Sequence, residues 1–322
     1  MKNRPPYSIT TEIVDLVARI SEAIGRIRTA HLHKQPAELR KKNRIKTIQS
    51  SLQIEGNALS IDQVTDVLEN KRVLAPQKDI LEVKNAIEVY DKMSEFSPFS
   101  LSSFVSAHAV LMKGLQARPG HFRSKAVGIA KGKKVTHIAP PASQVTGLMK
   151  DLFRYLKTDK EILLIKSCVF HYEMEFIHPF TDGNGRIGRL WQTLLLMRHH
   201  EIFAFLPVET LIKKKQRKYY EVLGLSDKLG HSTYFVEFML QVILESLEEL
   251  LSAQSKTVSS DERMEIYRAY IGKNAFTRKM YISYFNNIST ATASRDLKKA
   301  AAEYILKRKG DKNKAVYKFK TA

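Results

Sequence analysis

Twelve consecutive residues concentrate most of the chemistry in this chain: His178-Pro179-Phe180-Thr181-Asp182-Gly183-Asn184-Gly185-Arg186-Ile187-Gly188-Arg189. They bring an imidazole, a carboxylate, a glycine-rich turn and two guanidiniums together. Apolar, helix-like runs flank them, Ile162 to Phe176 before and Ile187 to His199 after, so the turn opens into a helix N-terminus. The first N–H groups of a helix lack intrahelical partners, and the dipole there favours negative charge. Gly183 and Gly185 can reach positive φ and let an anion approach the backbone. Asn184 can cap the following helix or offer its amide to an oxygen. Arg186 and Arg189 are three apart, so both planar forks lie on the first turn. Asp182 is a hard oxygen ligand that suits Mg²⁺ bridged to phosphate oxygens. His178 can take a proton from an attacking hydroxyl. These parts fit phosphoryl or nucleotidyl transfer from a Mg²⁺-nucleotide to a hydroxyl. Gly-Asn-Gly alone would also suit an ordinary turn, but such a turn has no need of His, Asp and two Arg converging on one gap.

The same stretch matches the Fic-family signature HxFx(D/E)GNGRxxR at every specified position: His178, Phe180, Asp182, Gly183, Asn184, Gly185, Arg186 and Arg189. The chain resembles that family most over residues 99–200. The resemblance implies a mainly α fold, a Fic-type helical core with a β-hairpin flap. It also implies transfer of AMP from ATP to a Ser, Thr or Tyr hydroxyl of a target protein. By the same resemblance His178 is the general base and Asp182 holds Mg²⁺. Gly183, Asn184 and Gly185 form the anion hole, Arg186 and Arg189 grip the ATP phosphates, and Phe180 packs inward.

Upstream, a helical run over residues 37–55 ends at Glu55-Gly56-Asn57. A carboxylate in a last helical turn opposes the dipole, and a broken local rule often marks a functional position. Ser51 lies four residues earlier on the same face. Ser51-x-x-x-Glu55-Gly56 resembles the inhibitory (S/T)xxxE(G/N) motif of the Fic family. The implied role is a salt bridge from Glu55 to Arg189 that blocks productive ATP binding and leaves weak basal activity. Two other readings stand beside self-inhibited transfer. Glu55 could orient a water that removes AMP from a modified protein, or the core could only sense nucleotide in a DNA-binding regulator.

Composition bounds the rest. The chain has 322 residues, a net charge of +20 and 43% hydrophobic residues. That length predicts two or three domains with a proper core, and the charge predicts polyanionic partners. Residues 263–322 hold 15 Lys/Arg against 4 Asp/Glu, a net +11. The lone Cys168 suits a buried small hydrophobe. No apolar run is long enough for a bilayer and the N-terminus shows no h-region, so the expectation is a cytoplasmic protein without membrane contact. A homodimer is left open.

Helical periodicity continues over residues 9–33, 61–69, 77–94, 101–115, 144–156, 213–224 and 234–251. Ser60 suits a helix cap, and His108 falls on an apolar helix face as a core histidine. One of Tyr219-Tyr220 is placed to lie against a base or to pack. Residues 127–130 and 134–138 read as the hairpin, and the resemblance makes residues 127–138 the flap that holds a target segment by main-chain pairing. The predicted domains are an N-terminal helical region with the inhibitory helix (1–95), a catalytic core with closing helices (96–251), a serine-rich linker (252–260) and a winged helix-turn-helix-like domain (261–322). In the last, the run Ser289 to Lys299 is a candidate recognition helix and residues 305–319 a basic wing, which makes DNA a candidate partner.

Overall fold

The computed structural model describes residues 4–29, 37–131, 134–255, 259–285, 288–310 and 315–320. The chain divides into two compact units, one of residues 1–25 and 33–247, the other of residues 26–32 and 248–322. The helices in chain order are α1 (Thr11–Thr29), α2 (Ala37–Ile54), α3 (Ile61–Leu68), α4 (Gln77–Asp91), α5 (Leu101–Leu111), α6 (Ala142–Thr158), α7 (Leu163–Ile177) and α8 (Asn184–His199). Then come α9 (Val208–Lys214), α10 (Gln216–Leu229), α11 (Thr233–Ser255), α12 (Ser260–Ile271), α13 (Arg278–Phe285) and α14 (Thr290–Ala302). The fold is mainly α, as expected. No described helix is long and apolar enough to cross a membrane.

The first unit is organised around α7 and α8. Both are buried on almost every side, from Leu164 through Tyr172 on one and from Ile187 through Leu196 on the other. Helices buried on nearly every side have little solvent face to offer and belong at a domain centre, here with several polar side chains buried along with the apolar ones. Gly188 permits their close approach, because a Cβ there would meet Met174 Cε at 2.7 Å. Phe104 of α5 lies at the middle of the aromatic core, with ring centroids 5.2 Å from Trp191, 5.5 Å from Phe153 and 5.6 Å from Phe180. Cys168 is fully buried. Ser60 caps α3 in a reciprocal capping box with Gln63, which satisfies two donors at once.

Three boundaries differ from the periodicity. The helix expected over 101–115 stops at Leu111, where Asn85 of α4 takes the carbonyls of Leu111 and Lys113 and Gly114 turns at φ 72°. The run 213–224 breaks at Lys215 into α9 and α10, which start and end outside it. Within 252–260, α11 continues through Ser255 and α12 starts at Ser260, while 256–258 lie outside the described residues.

The hairpin forms from β1 (Gly128–Lys131) and β2 (Lys134–Ile138), antiparallel, with a bulge between Ile129 and Ala130. Its turn residues 132–133 lie outside the described residues, as do the Gln35-Pro36 and Asn286-Asn287 breaks and residues 311–314 of the wing turn.

The second unit carries α12, α13 and α14 with a small sheet of β3 (Phe276–Thr277), β4 (Leu306–Lys309) and β5 (Val316–Phe319) in the order β3-β5-β4, antiparallel throughout. The two-residue β3 has no signal of its own in the sequence. Tyr267, Phe276, Tyr281, Leu297 and Phe319 pack into a separate core. Arg263 of α12 grips Asp296 of α14 through two hydrogen bonds, at 2.7 and 2.9 Å, and Tyr281 donates to the same carboxylate. Asp296 is 2% exposed. Removing one partner of such a pair strands a buried charge, so Asp296→Ala should cost this unit about 3–5 kcal/mol. Hydrogen exchange along α14 checks this, and unchanged protection would contradict it.

Candidate active site

The site is built on the sharp connection between α7 and α8. His178 ends α7 in the left-handed region, φ 49° and ψ 60°, which a non-glycine residue adopts only when its surroundings hold it there. Gly183, at φ 84°, precedes α8 as its N-cap. A Cβ on Gly183 would meet Met112 Sδ at 2.6 Å, so the turn needs glycine for space as well as for φ. Asn184 does not cap α8. Its side chain accepts from Phe180 N and donates to Phe180 O, both at 2.9 Å, and staples the loop to itself. Phe180 is fully buried and stacks on His108 at 3.5 Å. The N-cap residue, Gly183, therefore brings no side chain of its own to the backbone amides at the start of α8.

His108 braces the loop from beneath. Gly120 N donates to His108 Nδ1 at 3.0 Å, so the proton sits on Nε2, which donates to Asp182 O at 2.9 Å. Burial pushes His108 down to about 4, and the imidazole stays neutral. This is the core role expected of it.

Arg123 holds the loop from the side. Its guanidinium donates to the carbonyls of Ile177, His178, Lys125 and Pro140, at 2.6 to 3.2 Å, and its own N–H donates to Pro179 O. One buried fork thus ties the end of α7 to both approaches of the hairpin. Burial draws its pKa downward.

Asp182 Oδ1 accepts from Gly183 N and from Arg186 Nη2, at 2.6 and 2.9 Å, while the side chain remains 54% exposed. A single exposed carboxylate beside an anion site fits Mg²⁺, which draws its remaining ligands from water and substrate phosphates. Among the described residues no group of three or more His, Cys, Asp or Glu stands ready to hold a metal by itself.

Arg189 is 2% exposed, and its hydrogen-bond partners come from α2 and the residue just past it. Nε donates to Ser51 Oγ at 3.1 Å, and Nη2 donates to Ser51 O at 2.9 Å and Glu55 Oε1 at 2.8 Å. Burial lowers the Arg189 pKa, but the attraction of Glu55, Tyr219 and Glu175 together with the Glu55 hydrogen bond outweighs it, and the net shift is upward. Glu55 also lies directly over the start of α8, because a Cβ on Gly185 would run into its Oε1. The carboxylate stands against the positive end of α8 as well as past the negative end of α2, which answers the local misfit of its position. Three side chains cover carbonyls in the last turn of α2: Arg189 donates to Ser51 O, Lys213 to Gln53 O and Gln216 to Ile54 O.

The Fic/DOC family model matches residues 98–196. A Fic family protein from Desulfovibrio desulfuricans G20, solved by crystallography, is 38% identical, covers 99% of both chains and superposes with a TM-score of 0.75. The chain belongs to the Fic family. It is also similar to the protein adenylyltransferase fic-1 of Caenorhabditis elegans, 28% identical over 65% of this chain and 41% of that protein. The protein adenylyltransferase Fic of Drosophila melanogaster is 26% identical over 75% of this chain and 47% of that one. The chain thus spans less than half the length of these curated relatives.

The Fic signature residues and the Ser51/Glu55 pair converge on one site, although more than a hundred residues separate them in sequence. Tyr219 is buried and hydrogen-bonds His171, so it packs, whereas Tyr220 is 41% exposed. Periodicity and motif reading pass over Arg123, Glu82 and Asn57. Glu82 carries one signal: it falls on the apolar stripe of α4 with Val83, Ala86 and Val89, where a hydrophobe is expected. Arg123 carries none, because a loop arginine bound to four carbonyls has no periodicity. Arg123→Lys keeps the charge but loses the planar fork. Faster amide exchange is expected across residues 177–183 and the hairpin, and exchange unchanged in both would contradict this role for Arg123.

Proposed function

We propose that this chain is a self-inhibited protein adenylyltransferase that transfers AMP from ATP to a Ser, Thr or Tyr hydroxyl of a target protein. The observation that carries the reading is the Arg189–Glu55 ion pair, at 2.8 Å, with the carboxylate lying over Gly185. A carboxylate occupies the position that suits a phosphate: the first turn of α8 beside a buried arginine.

In this reading His178 accepts the proton of the target hydroxyl, whose oxygen attacks the α-phosphorus of ATP. A new oxygen–phosphorus bond forms, the bond to the β-phosphate bridging oxygen breaks, and pyrophosphate leaves. Backbone amides from Gly183 to Gly185 and the Arg186 and Arg189 forks bind phosphate oxygens. Asp182 would hold Mg²⁺, which supplies charge neutralisation at the phosphates. The hairpin at 128–138 receives the target as an added strand, so main-chain pairing positions a hydroxyl with little demand on side-chain identity. While Glu55 holds Arg189, ATP binds out of line and much of the advantage of positioned reactants is lost.

Label transfer from α-labelled ATP with Mg²⁺ tests the reading. Glu55→Gly should label itself or a target strongly where the unmodified chain labels weakly. Adding His178→Ala should remove about 10²–10⁴-fold of that rate. Release of AMP from a modified protein, lost in Glu55→Gly, would instead favour a hydrolase in which Glu55 orients water.

A second, compatible reading concerns residues 259–320. Arg295 and Lys298 are exposed on α14, as are Lys307, Arg308 and Lys309 on β4. A helix and an adjacent strand that both present cations suit a winged helix-turn-helix on duplex DNA. Binding should weaken steeply with salt, and Lys298→Ala with Lys307→Ala should lower the slope of log affinity against log salt by about 2. Binding that is independent of salt would remove DNA as a partner.

A further inference from the structure

Glu82 lies outside the signature, is 7% exposed and bridges two parts of the site. Its Oε1 accepts from Arg186 Nη1 at 2.9 Å, and its Oε2 accepts from Asn57 Nδ2 at 2.9 Å. Arg186 spends its other arm on Asp182. Asn57 also donates to Asp79 O and accepts from Leu59 N, which fastens the turn after α2 to the N-terminal end of α4. One buried chain therefore runs Asp182–Arg186–Glu82–Asn57 and ends two residues past Glu55. It touches neither Arg189 nor Glu55.

A carboxylate and a guanidinium this far from water persist only when paired and hydrogen-bonded. Here the pairing also dictates geometry. The guanidinium is planar, so holding Nη1 at Glu82 aims Nη2 at Asp182. Asp182 Oδ1 is thereby occupied, and the second oxygen takes no hydrogen bond among the described residues. The charges matter as well. Arg186 alone would repel a divalent cation at Asp182, and Glu82 offsets it. At the other end Gly56, at φ 95°, is the only residue between Glu55 and Asn57. A turn this short carries any backbone displacement of Glu55 into Asn57.

We propose that Glu82 is a positioning residue that aims Arg186 at Asp182 and, through Asn57, ties this cation-binding end of the site to the turn that carries Glu55. The inhibitory turn is thus anchored to the phosphate site at two independent points, the Glu55–Arg189 pair and the Asn57–Glu82–Arg186 chain. This inference rests on the adenylyltransferase reading above.

Two variants of the full chain test it. Glu82→Gln keeps the shape and an acceptor for Asn57 but withdraws the charge facing Arg186. It is made in the Glu55→Gly background, and ATP binding is measured by calorimetry with and without Mg²⁺. The ratio of the two affinities should fall about tenfold, the scale of one charge-assisted hydrogen bond. General loosening of the fold would weaken both affinities and leave the ratio alone, and an unchanged ratio overturns the positioning role. Asn57→Ala, made with Glu55 retained, leaves the Glu55–Arg189 pair in place, breaks the second anchor together with the Asp79 and Leu59 contacts of Asn57, and should raise basal label transfer about tenfold. No rise overturns the coupling, and this variant decides the matter if Glu82→Gln fails to fold. The Glu55→Gly protein separates the two levels. If it binds no nucleotide, the adenylyltransferase reading fails and takes this inference with it. If it binds nucleotide while both variants behave as their parents do, only the role of Glu82 fails.

Discussion

A guanidinium that is 2% exposed must have a counter-charge and partners for its donors, and Arg189 finds both at the end of α2. Much of the first unit follows from that requirement. Helix α2 has to end beside the first turn of α8, with its last carbonyls turned toward side chains of α8, α9 and α10. The carboxylate at its end then meets a helix N-terminus and a cation together. Arg189 and Glu55, far apart in sequence, thereby become one electrostatic unit.

The loop between α7 and α8 answers a second constraint. It must turn sharply from one buried helix into the next and still remain rigid. Side chains supply that rigidity. Asn184 closes on Phe180, neutral His108 holds Asp182 O and stacks on the Phe180 ring, and Arg123 gathers four carbonyls. Each of these groups is hydrogen-bonded within the protein.

Charge in the second unit is divided in a similar way. Arg263 is buried against Asp296 and serves the core, while Arg295, Lys298 and the three cations of β4 are exposed. Most of the cations among the described residues of 263–320 are therefore exposed.

Local sequence was sufficient for most of the elements. Apolar residues at helical spacing announce α7 and α8, and alternation with a Gly turn announces the hairpin. The types and spacing from His178 to Arg189 predict a turn that opens into a helix, and the turn forms between α7 and α8 because its contacts lie within a few residues of one another. The Glu55–Arg189 pairing was legible only through resemblance, since nothing local states which distant arginine a carboxylate will meet. Tertiary structure alone decided that Asn184 staples the loop instead of capping α8, that Lys215 divides one basic run into two helices, and that Glu82 joins Arg186 to Asn57. Those outcomes depend on which polar groups become buried together. Periodicity reports which face is buried, but a buried hydrogen bond must be satisfied by whatever the packed neighbours offer, and only the assembled fold supplies them.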